Sequence, residues 1–266
     1  MRNHKFLKGR EMFKKLSVVL AMSSLAACAT SPTGRNQLIF MPDTQMNQMG
    51  LQAFDQMKKD KPVNHDGQFN QTAQCIVTEL TRGMGQTWEV VVFEDKTLNA
   101  FALPGAKIGV HTGMMQLVDN QDQLAAVLGH EVGHVLARHS NERASQETLV
   151  QQGISMIQQT SYGQNPLIMG GLGLGAQYGI LMPYSRTHES EADLIGVDLM
   201  AKAGFDPTQS VTLWQKMEQA AQNQPMEFMS THPAHATRIQ QLQERMPQAL
   251  ELFKQAQAAG KIPKCR

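Results

Sequence analysis

His130-Glu131-Val132-Gly133-His134 decides how this 266-residue chain is interpreted. Apolar residues at helical spacing over 124–128 precede the motif, and we expect one helix over residues 121–140 to carry both histidines. Side chains four residues apart lie about 40° from each other around a helix, so two imidazoles can reach one ion. Two imidazoles suit zinc, and the glutamate between them is placed to accept a proton from water beside the metal. The alternative is a buried helix whose histidines only form hydrogen bonds in the core.

Carboxylates of a second predicted helix supply the candidates for a third ligand. Glu189 and Asp193 are four residues apart and share one face of that helix, whereas Glu191 points roughly the other way. One carboxylate can bind zinc while the other orients a ligand imidazole, so we predict Glu189 as ligand and Asp193 as its support. Two solvated acids are the alternative. His139 lies about 180° around the first helix from His130, so we expect it beside a ligand or at the surface.

The rest of the chain is predicted to be mainly helical, with a few short strands. Further helices are expected at residues 44–59, 70–84, 188–203 and 234–258, and strands at 88–93, 99–103 and 107–111. The fold class is therefore α+β and mainly helical. Residues 148–184 are rich in glycine, leucine, isoleucine and methionine. Because the glycines and Gln177 weaken a transmembrane interpretation, we expect a helical hairpin or a mobile flap near the site there.

The N-terminus has the features of an export signal. Lys14-Lys15 precede an apolar run over residues 16–27 that ends in small residues before Cys28. This run is too short for a membrane-spanning helix, which takes about 20 apolar residues. The ending Leu25-Ala26-Ala27-Cys28 resembles the bacterial lipobox, in which the cysteine is lipidated and becomes the new N-terminus, so we expect a lipidated Cys28. The alternative is an ordinary signal peptide followed by an incidental cysteine. The predicted organisation is a lipoprotein signal peptide at 1–27, a lipidated tether at 28–43, and a metallopeptidase domain with a helical C-terminal tail at 44–266.

The composition argues against nucleic-acid binding and limits how the cysteines can pair. The chain carries 24 Lys+Arg against 23 Asp+Glu, and this balance gives no electrostatic basis for binding nucleic acid. Three cysteines in a chain of this length exclude a disulfide-stapled miniprotein. With Cys28 lipidated, Cys75 and Cys265 are left. In an oxidising periplasm we expect them to form a disulfide, and two free thiols are the alternative.

Several motifs occur in an order that resembles a known family. Besides residues 130–134 they are Thr33-Gly34-Arg35-Asn36-Gln37-Leu38, Asn99-Ala100-Phe101-Ala102-Leu103-Pro104-Gly105, Ser185-Arg186, Glu189-x-x-Ala192-Asp193 and Thr231-His232-Pro233. This order is similar to that of the HtpX/CAAX-prenyl-protease family of gluzincin zinc metallopeptidases, in its soluble bacterial periplasmic lipoprotein branch. One departure is Ala106, where a second glycine often follows the Pro-Gly pair in that family.

The resemblance implies a zinc-dependent endopeptidase with a zincin-type helical domain and a small mixed sheet. It implies one zinc ion held by His130, His134 and Glu189, rather than by Glu191. His232 is then expected to assist the oxyanion or to shield the zinc as a removable fourth ligand, with a turn histidine as the alternative. The catalytic residues predicted for this chain are therefore Glu131 and His232.

The implied substrates are misfolded or stalled envelope polypeptides, with the enzyme in the periplasm, lipid-anchored to the inner leaflet of the outer membrane. The alternative is a largely latent protease that acts as a chaperone or assembly factor for outer-membrane proteins. An extended substrate can pair with an exposed sheet edge, although an ordinary packed strand is as compatible with the pattern. The substrate edge strand is expected to contain Asn99, Ala100, Phe101 and Ala102. Arg186 and Arg238 are candidates for neutralising charge near the metal, and the alternative is that they are exposed arginines without such a role.

Overall fold

The computed structural model describes residues 28–177, 181–221, 228, 230, 232 and 237–265. Its helices are α1 (Asp43–Asp60), α2 (Gly67–Leu80), α3 (Thr112–Leu117), α4 (Gln121–Leu136), α5 (His139–Gln158), α6 (Pro166–Ala176), α7 (Met182–Ala203), α8 (Thr208–Ala221) and α9 (Thr237–Ala258). Its strands are β1 (Cys28–Thr30), β2 (Asn36–Leu38), β3 (Glu89–Phe93), β4 (Ala100–Leu103) and β5 (Lys107–His111). The predicted mainly helical α+β class is confirmed. The predicted signal peptide, residues 1–27, lies outside the described residues, as do Thr231 and Pro233.

Three of the strands form a small mixed sheet in the order β3-β5-β4. β3 runs parallel to β5 and β4 runs antiparallel to it, so that Val90 and Ala102 both pair with Ile108. Within the described residues β4 pairs with β5 alone and therefore lies at a sheet edge, as predicted. The turn that joins β4 to β5 needs left-handed backbone, with φ of 85° at Gly105 and 60° at Ala106. A glycine at the second position would avoid the steric cost that alanine has there.

Helix α4 lies in the middle of the domain. Its N-terminus is capped by Asn120, whose side chain accepts a hydrogen bond from the amide of Gln123 at 2.9 Å. The helix packs against α2, α7, α8 and β4, and residues 123–133 are buried throughout. The histidines of α4 are therefore held by a helix that is fixed on several sides.

Helices α4 and α7 approach each other closely because glycines line their crossing. A Cβ atom on Gly196 would lie 2.7 Å from the backbone nitrogen of His130, and one on Gly133 would lie 2.9 Å from the carbonyl oxygen of Ala192. A side chain does not fit at such distances, so this spacing depends on glycine. The close approach places the carboxylates of α7 beside the imidazoles of α4.

Two predicted helices begin at least three residues earlier than expected. α2 begins at Gly67 rather than Asn70, because the Asp66 side chain accepts a hydrogen bond from the amide of Gln68 at 2.8 Å and caps the helix. α7 begins at Met182, six residues before the predicted start, and ends as predicted before Gly204, which has φ of 93°.

The predicted helix over residues 121–140 is wrong at its C-terminal end. α4 stops at Leu136, Arg138 adopts left-handed backbone with φ of 54°, and α5 starts at His139. The pattern carried no sign of this break, since non-glycine residues seldom adopt positive φ. His139 is therefore not on the opposite face of one continuous helix, as the spacing predicted. Its ring lies against that of His134 instead.

The interpretation of residues 28–43 as a tether is also wrong. β1 and β2 form an antiparallel pair in which Cys28 is opposite Leu38, and residues 37–41 form hydrogen bonds to α5 and its preceding turn. Strands of three residues are too short to show a periodic pattern, which is why the sequence did not predict them. The segment is part of the folded domain.

The predicted helical hairpin within residues 148–184 is present in the described part of that segment. α5 and α6 are joined through a 3-10 turn at Ser161–Gln164, and an apolar groove of about 530 Å³ lies between the two helices. Among the described residues, no helix combines the length and apolar character needed to cross a bilayer.

A disulfide joins the first half of the domain to its C-terminus. Cys75 of α2 is bonded to Cys265, with 5.5 Å between their Cα atoms. This is the pair that the sequence predicts. The bond closes a loop that includes α4 and α7, so both site-bearing helices lie within the cross-linked part of the chain.

Candidate metal centre

Four side chains from distant parts of the sequence converge on one point. His130 and His134 come from α4, Glu189 from α7, and His232 from the segment before α9; one ligand atom of each lies within 4.8 Å of the others. The Nε2 atoms of His130 and His134 are 3.0 Å apart. The Glu189 carboxylate lies 3.4 Å from His130 Nε2 and 3.5 Å from His134 Nε2. His232 Nδ1 lies 3.1 Å from the same carboxylate.

This arrangement brings together the three predicted ligands and adds His232 to them. Three imidazole nitrogens and one carboxylate form a donor set suited to tetrahedral zinc. Of the two roles predicted for His232, its position favours the fourth ligand, because Nδ1 is also 3.3 Å from His130 Nε2. Its ring stacks on Phe228 with 4.5 Å between centroids, which holds it in place.

His130 is oriented by a buried carboxylate and arginine. Its Nδ1 lies 2.8 Å from Asp193 Oδ1, the supporting role predicted for that aspartate. Arg238 donates to both Asp193 oxygens, at 2.6 and 2.8 Å, and its Nη1 is 3.1 Å from Glu189 Oε2. The guanidinium lies 3.8 Å from the ring centroid of Trp214. Arg238 is only 2% exposed, so it is a fixed counter-charge for both carboxylates.

His134 is oriented through a second histidine. Its Nδ1 lies 2.9 Å from Nδ1 of His139, whose Nε2 lies 3.1 Å from Glu191 Oε2. Glu191 points away from the metal ligands, as predicted, yet it is 4% exposed rather than solvated. Sequence reasoning did not assign a function to Glu191, because its partner sits beyond the unexpected break after α4.

Charges in the cluster favour a cation at its centre. Burial lowers the pKa of His130, but hydrogen bonds to Asp193 and Glu189 outweigh burial and raise it to about 9. Burial raises the pKa of Glu189, but hydrogen bonds with His130 and His232 hold it well below its usual range. Burial lowers the pKa of His134 well below its usual value, and the charge of His130 lowers it further. The cluster thus stabilises a positive charge on His130, and a divalent metal ion bound to the same side chains would supply that charge instead, so the residues fit such an ion.

Glu131 lies at the rim of the cluster and is 2% exposed. Burial raises the pKa of its carboxyl, whereas His232, His130 and the backbone amide of Ala102 act in the opposite direction. Its Oε1 is buried with no hydrogen-bond partner among the described atoms, 3.5 Å from His232 Nε2. An acceptor that is desolvated in this way is suited to a water or substrate group placed beside the metal.

The predicted substrate strand lies beside this carboxylate. β4 packs on α4, and its Ala102 amide faces Glu131. Ala100 is buried, while Phe101 stacks on Phe93 with 6.1 Å between centroids. Asn99 precedes the strand and is also buried. The strand is therefore at the edge and next to the site; its pairing with a substrate stays a prediction.

Comparison with known proteins agrees with this geometry. The sequence profile of Peptidase family M48 matches residues 64–246, more than half of the chain. Mitochondrial metalloendopeptidase OMA1 of Schizosaccharomyces pombe is 40% identical over 165 residues, or 61% of this chain and 48% of that protein. The Homo sapiens OMA1 metalloendopeptidase is 31% identical over 270 residues, or 93% and 51%. The Beta-barrel assembly-enhancing protease of Escherichia coli is 24% identical over 281 residues, or 96% and 58%.

These relatives define the family but not the branch. The chain spans about half the length of the relatives it matches. The more similar of these relatives are mitochondrial, so the predicted bacterial lipoprotein branch stays a prediction. The profile match contains all four residues of the cluster, together with Glu131, Asp193 and Arg238. The chain therefore belongs to peptidase family M48.

Proposed function

We propose that this chain is a zinc-dependent endopeptidase of the bacterial cell envelope that hydrolyses misfolded or stalled envelope proteins. The observation that carries the proposal is the cluster of His130, His134, Glu189 and His232 beside the buried carboxylate of Glu131. Ligands and a base within one enclosed site are what peptide hydrolysis requires. Membership of a peptidase family supports the same reaction class.

The residues divide the chemistry among them. A zinc ion bound here would supply Lewis acidity toward the peptide carbonyl and would acidify water. Glu131 accepts a proton from the attacking water and delivers it to the leaving amine nitrogen, which its raised pKa favours. Asp193 and Arg238 keep His130 oriented through the reaction.

An extended polypeptide is the substrate that the neighbouring strand suits. Pairing along the edge of β4 would bring a peptide past Glu131, because the Ala102 amide faces that carboxylate. Backbone pairing does not depend on the side chains of the substrate, which agrees with a protease that acts on many damaged proteins.

The envelope location rests on the N-terminal sequence and on the cysteines. A basic pair, a short apolar run and small residues before Cys28 support export and lipidation. The Cys75–Cys265 bond supports an oxidising compartment such as the periplasm. We place the lipidated protein at the inner leaflet of the outer membrane.

A second function is favoured by the position of His232. As a fourth ligand this side chain would occupy the position at which water or substrate reacts, which would make the enzyme latent until His232 moves. The Escherichia coli and Yersinia pestis relatives are both named Beta-barrel assembly-enhancing protease. A largely latent protease that assists outer-membrane protein assembly is therefore the alternative.

The Glu131→Gln variant tests the proposed reaction. We expect it to retain bound zinc, since Glu131 is not a ligand, and to lose cleavage of casein by at least 100-fold, in line with general-base loss. His232→Ala serves as the matched comparison, because it removes a ligand and leaves the base. Increased cleavage by His232→Ala would favour latency. Cleavage by zinc-loaded Glu131→Gln at the rate of the unmodified protein would contradict the mechanism.

A further inference from the structure

Hydrogen bonds extend from the ligand His134 to the N-terminal strand pair. Glu191 can only accept, so Nε2 of neutral His139 donates to it across 3.1 Å. His139 Nδ1 then accepts, and the contact at 2.9 Å requires Nδ1 of His134 to donate. This leaves the lone pair of His134 on Nε2, the nitrogen that faces the other ligands. The protonation pattern of a metal ligand thus depends on Glu191.

Glu191 is held in turn by three residues of the β1–β2 turn. The hydroxyls of Ser31 and Thr33 both donate to its Oε1. Arg35 donates to its Oε2 from Nε at 2.9 Å and from Nη2 at 2.8 Å. The carboxylate therefore has partners for both oxygens, four of its five contacts coming from the N-terminal segment.

The same segment fixes the backbone at the break after α4. Arg35 also forms a two-point ion pair with Glu142 of α5, with both N–O distances at 2.7 Å. Gln37 donates to Glu142 at 2.8 Å and to the carbonyl oxygen of Ala137 at 2.5 Å. Since Ala137 lies between His134 and His139 in the chain, the Gln37 bond holds the backbone that joins the two histidines.

We propose that Ser31, Thr33 and Arg35 are positioning residues for the metal, acting through Glu191 and His139 to orient His134. The proposal rests on the zinc site proposed above and extends it to a segment that lies before the part of the chain matched by the M48 profile. His130 and His134 then have equivalent supports: Asp193 with Arg238 on one side, and His139 with Glu191 and Arg35 on the other. The segment that follows Cys28 is thereby part of the site.

Zinc affinity of the full chain tests the proposal without reliance on proteolysis. The measurements are the zinc Kd by competition with a chromogenic chelator, the visible absorption of the cobalt-loaded protein, and kcat and KM separately. We expect Glu191→Gln and Arg35→Gln to raise the zinc Kd by about 10–100-fold. We also expect them to shift the cobalt spectrum and to lower kcat more than they change KM.

Two comparisons separate positioning from general stability. Arg245→Gln removes a similar two-point pair, to Asp198 at 3.0 and 2.6 Å, which has no residue in common with this relay, and should leave the zinc Kd within twofold. Thr33→Val removes one hydroxyl from an exposed turn and should weaken zinc binding, while Thr33→Ser should restore it. The Thr33 pair keeps the test decisive if the charge variants do not fold.

The outcomes are distinct. Unchanged zinc Kd and cobalt spectrum in folded Glu191→Gln and Thr33→Val would overturn the proposal while leaving the peptidase assignment in place. An equal loss in Arg245→Gln would also overturn it, because the effect would then be general destabilisation. An unmodified chain that binds no zinc would overturn the proposed function itself.

Discussion

At the scale of single residues, each metal-ligand histidine of α4 is supported by a chain of partners that ends at an arginine. Asp193 contacts His130 and is itself bound by Arg238. On the other side, Glu191 contacts His134 through the imidazole of His139 and is itself bound by Arg35. A buried carboxylate without a counter-charge is strongly destabilising. Each of these two carboxylates is therefore paired with an arginine, which offers a positive charge and several donors. The same carboxylate–arginine pairs therefore both orient the histidines and balance the charge of the site.

Glu142 makes this part of the fold sensitive to acid. Burial raises its pKa, but hydrogen bonds from Arg35 and Gln37, together with the His188 ring 3.1 Å from its Oε2, outweigh burial and lower it to about 2. A carboxyl with a lowered folded-state pKa adds stability above its unfolded pKa, near 4.5, and loses it as the pH falls toward 2. Between pH 5 and pH 3 we expect the unmodified protein to lose about 1–2 kcal/mol more unfolding free energy than Glu142→Gln.

Urea unfolding at the two pH values measures this difference. Glu147→Gln is the matched control, since Glu147 is an exposed partner of Arg143 on the same helix and should behave like the unmodified protein. Equal pH dependence in Glu142→Gln and the unmodified protein would show that this carboxylate is not the acid-sensitive group.

At the scale of elements, the crossing of α4 and α7 determines whether the ligands meet. The two helices contribute His130, His134 and Glu189, and glycines allow their backbones to touch. Helical periodicity predicted which residues share a face of each helix, because that relation depends only on 3.6 residues per turn. The periodicity of each helix does not predict the distance between the two helices. That distance depends on Gly133 and Gly196, which have no side chain at the crossing.

Gly196→Ala tests the importance of that distance. The added Cβ would lie 2.7 Å from the nitrogen of His130, so the helices must separate. We expect a loss of about 1–3 kcal/mol in unfolding free energy, together with weaker zinc binding because Glu189 moves away from the histidines. Chemical unfolding and chelator competition measure the two effects.

Gly173→Ala is the matched control for this substitution. Gly173 is also helical, but a Cβ there would meet nothing within 4 Å. Because alanine favours helix over glycine, this variant should be as stable as the unmodified protein or more so, with unchanged zinc binding. Zinc affinity and stability that stay the same in Gly196→Ala would refute the role of the close crossing.

At the scale of the whole molecule, the disulfide closes most of the folded chain into one loop. The sequence separation of Cys75 and Cys265 is 190 residues. A loop of this length restricts the unfolded chain strongly, and the bond is expected to contribute about 2–5 kcal/mol to stability. The bond therefore keeps α2 joined to the C-terminal segment in the unfolded chain as well as in the folded one.

Reduction should therefore lower the stability of the unmodified protein. We expect the midpoint of guanidinium unfolding to fall on addition of dithiothreitol, and the Cys75→Ser/Cys265→Ser double variant to match the reduced protein. The double variant itself should not respond to dithiothreitol. An unfolding midpoint that reductant does not change would show that the bond adds no stability.

The sequence by itself determined the chemistry of this protein: His130, Glu131, His134, Glu189 and Asp193 follow from local spacing along two helices. Backbone geometry sets the direction of side chains within one helix, so such relations are visible without a structure. Tertiary structure alone decided what surrounds them. The break at Arg138, the contacts from residues 31–37 to Glu191, and the place of Arg238 all depend on packing between distant segments, which no local pattern records.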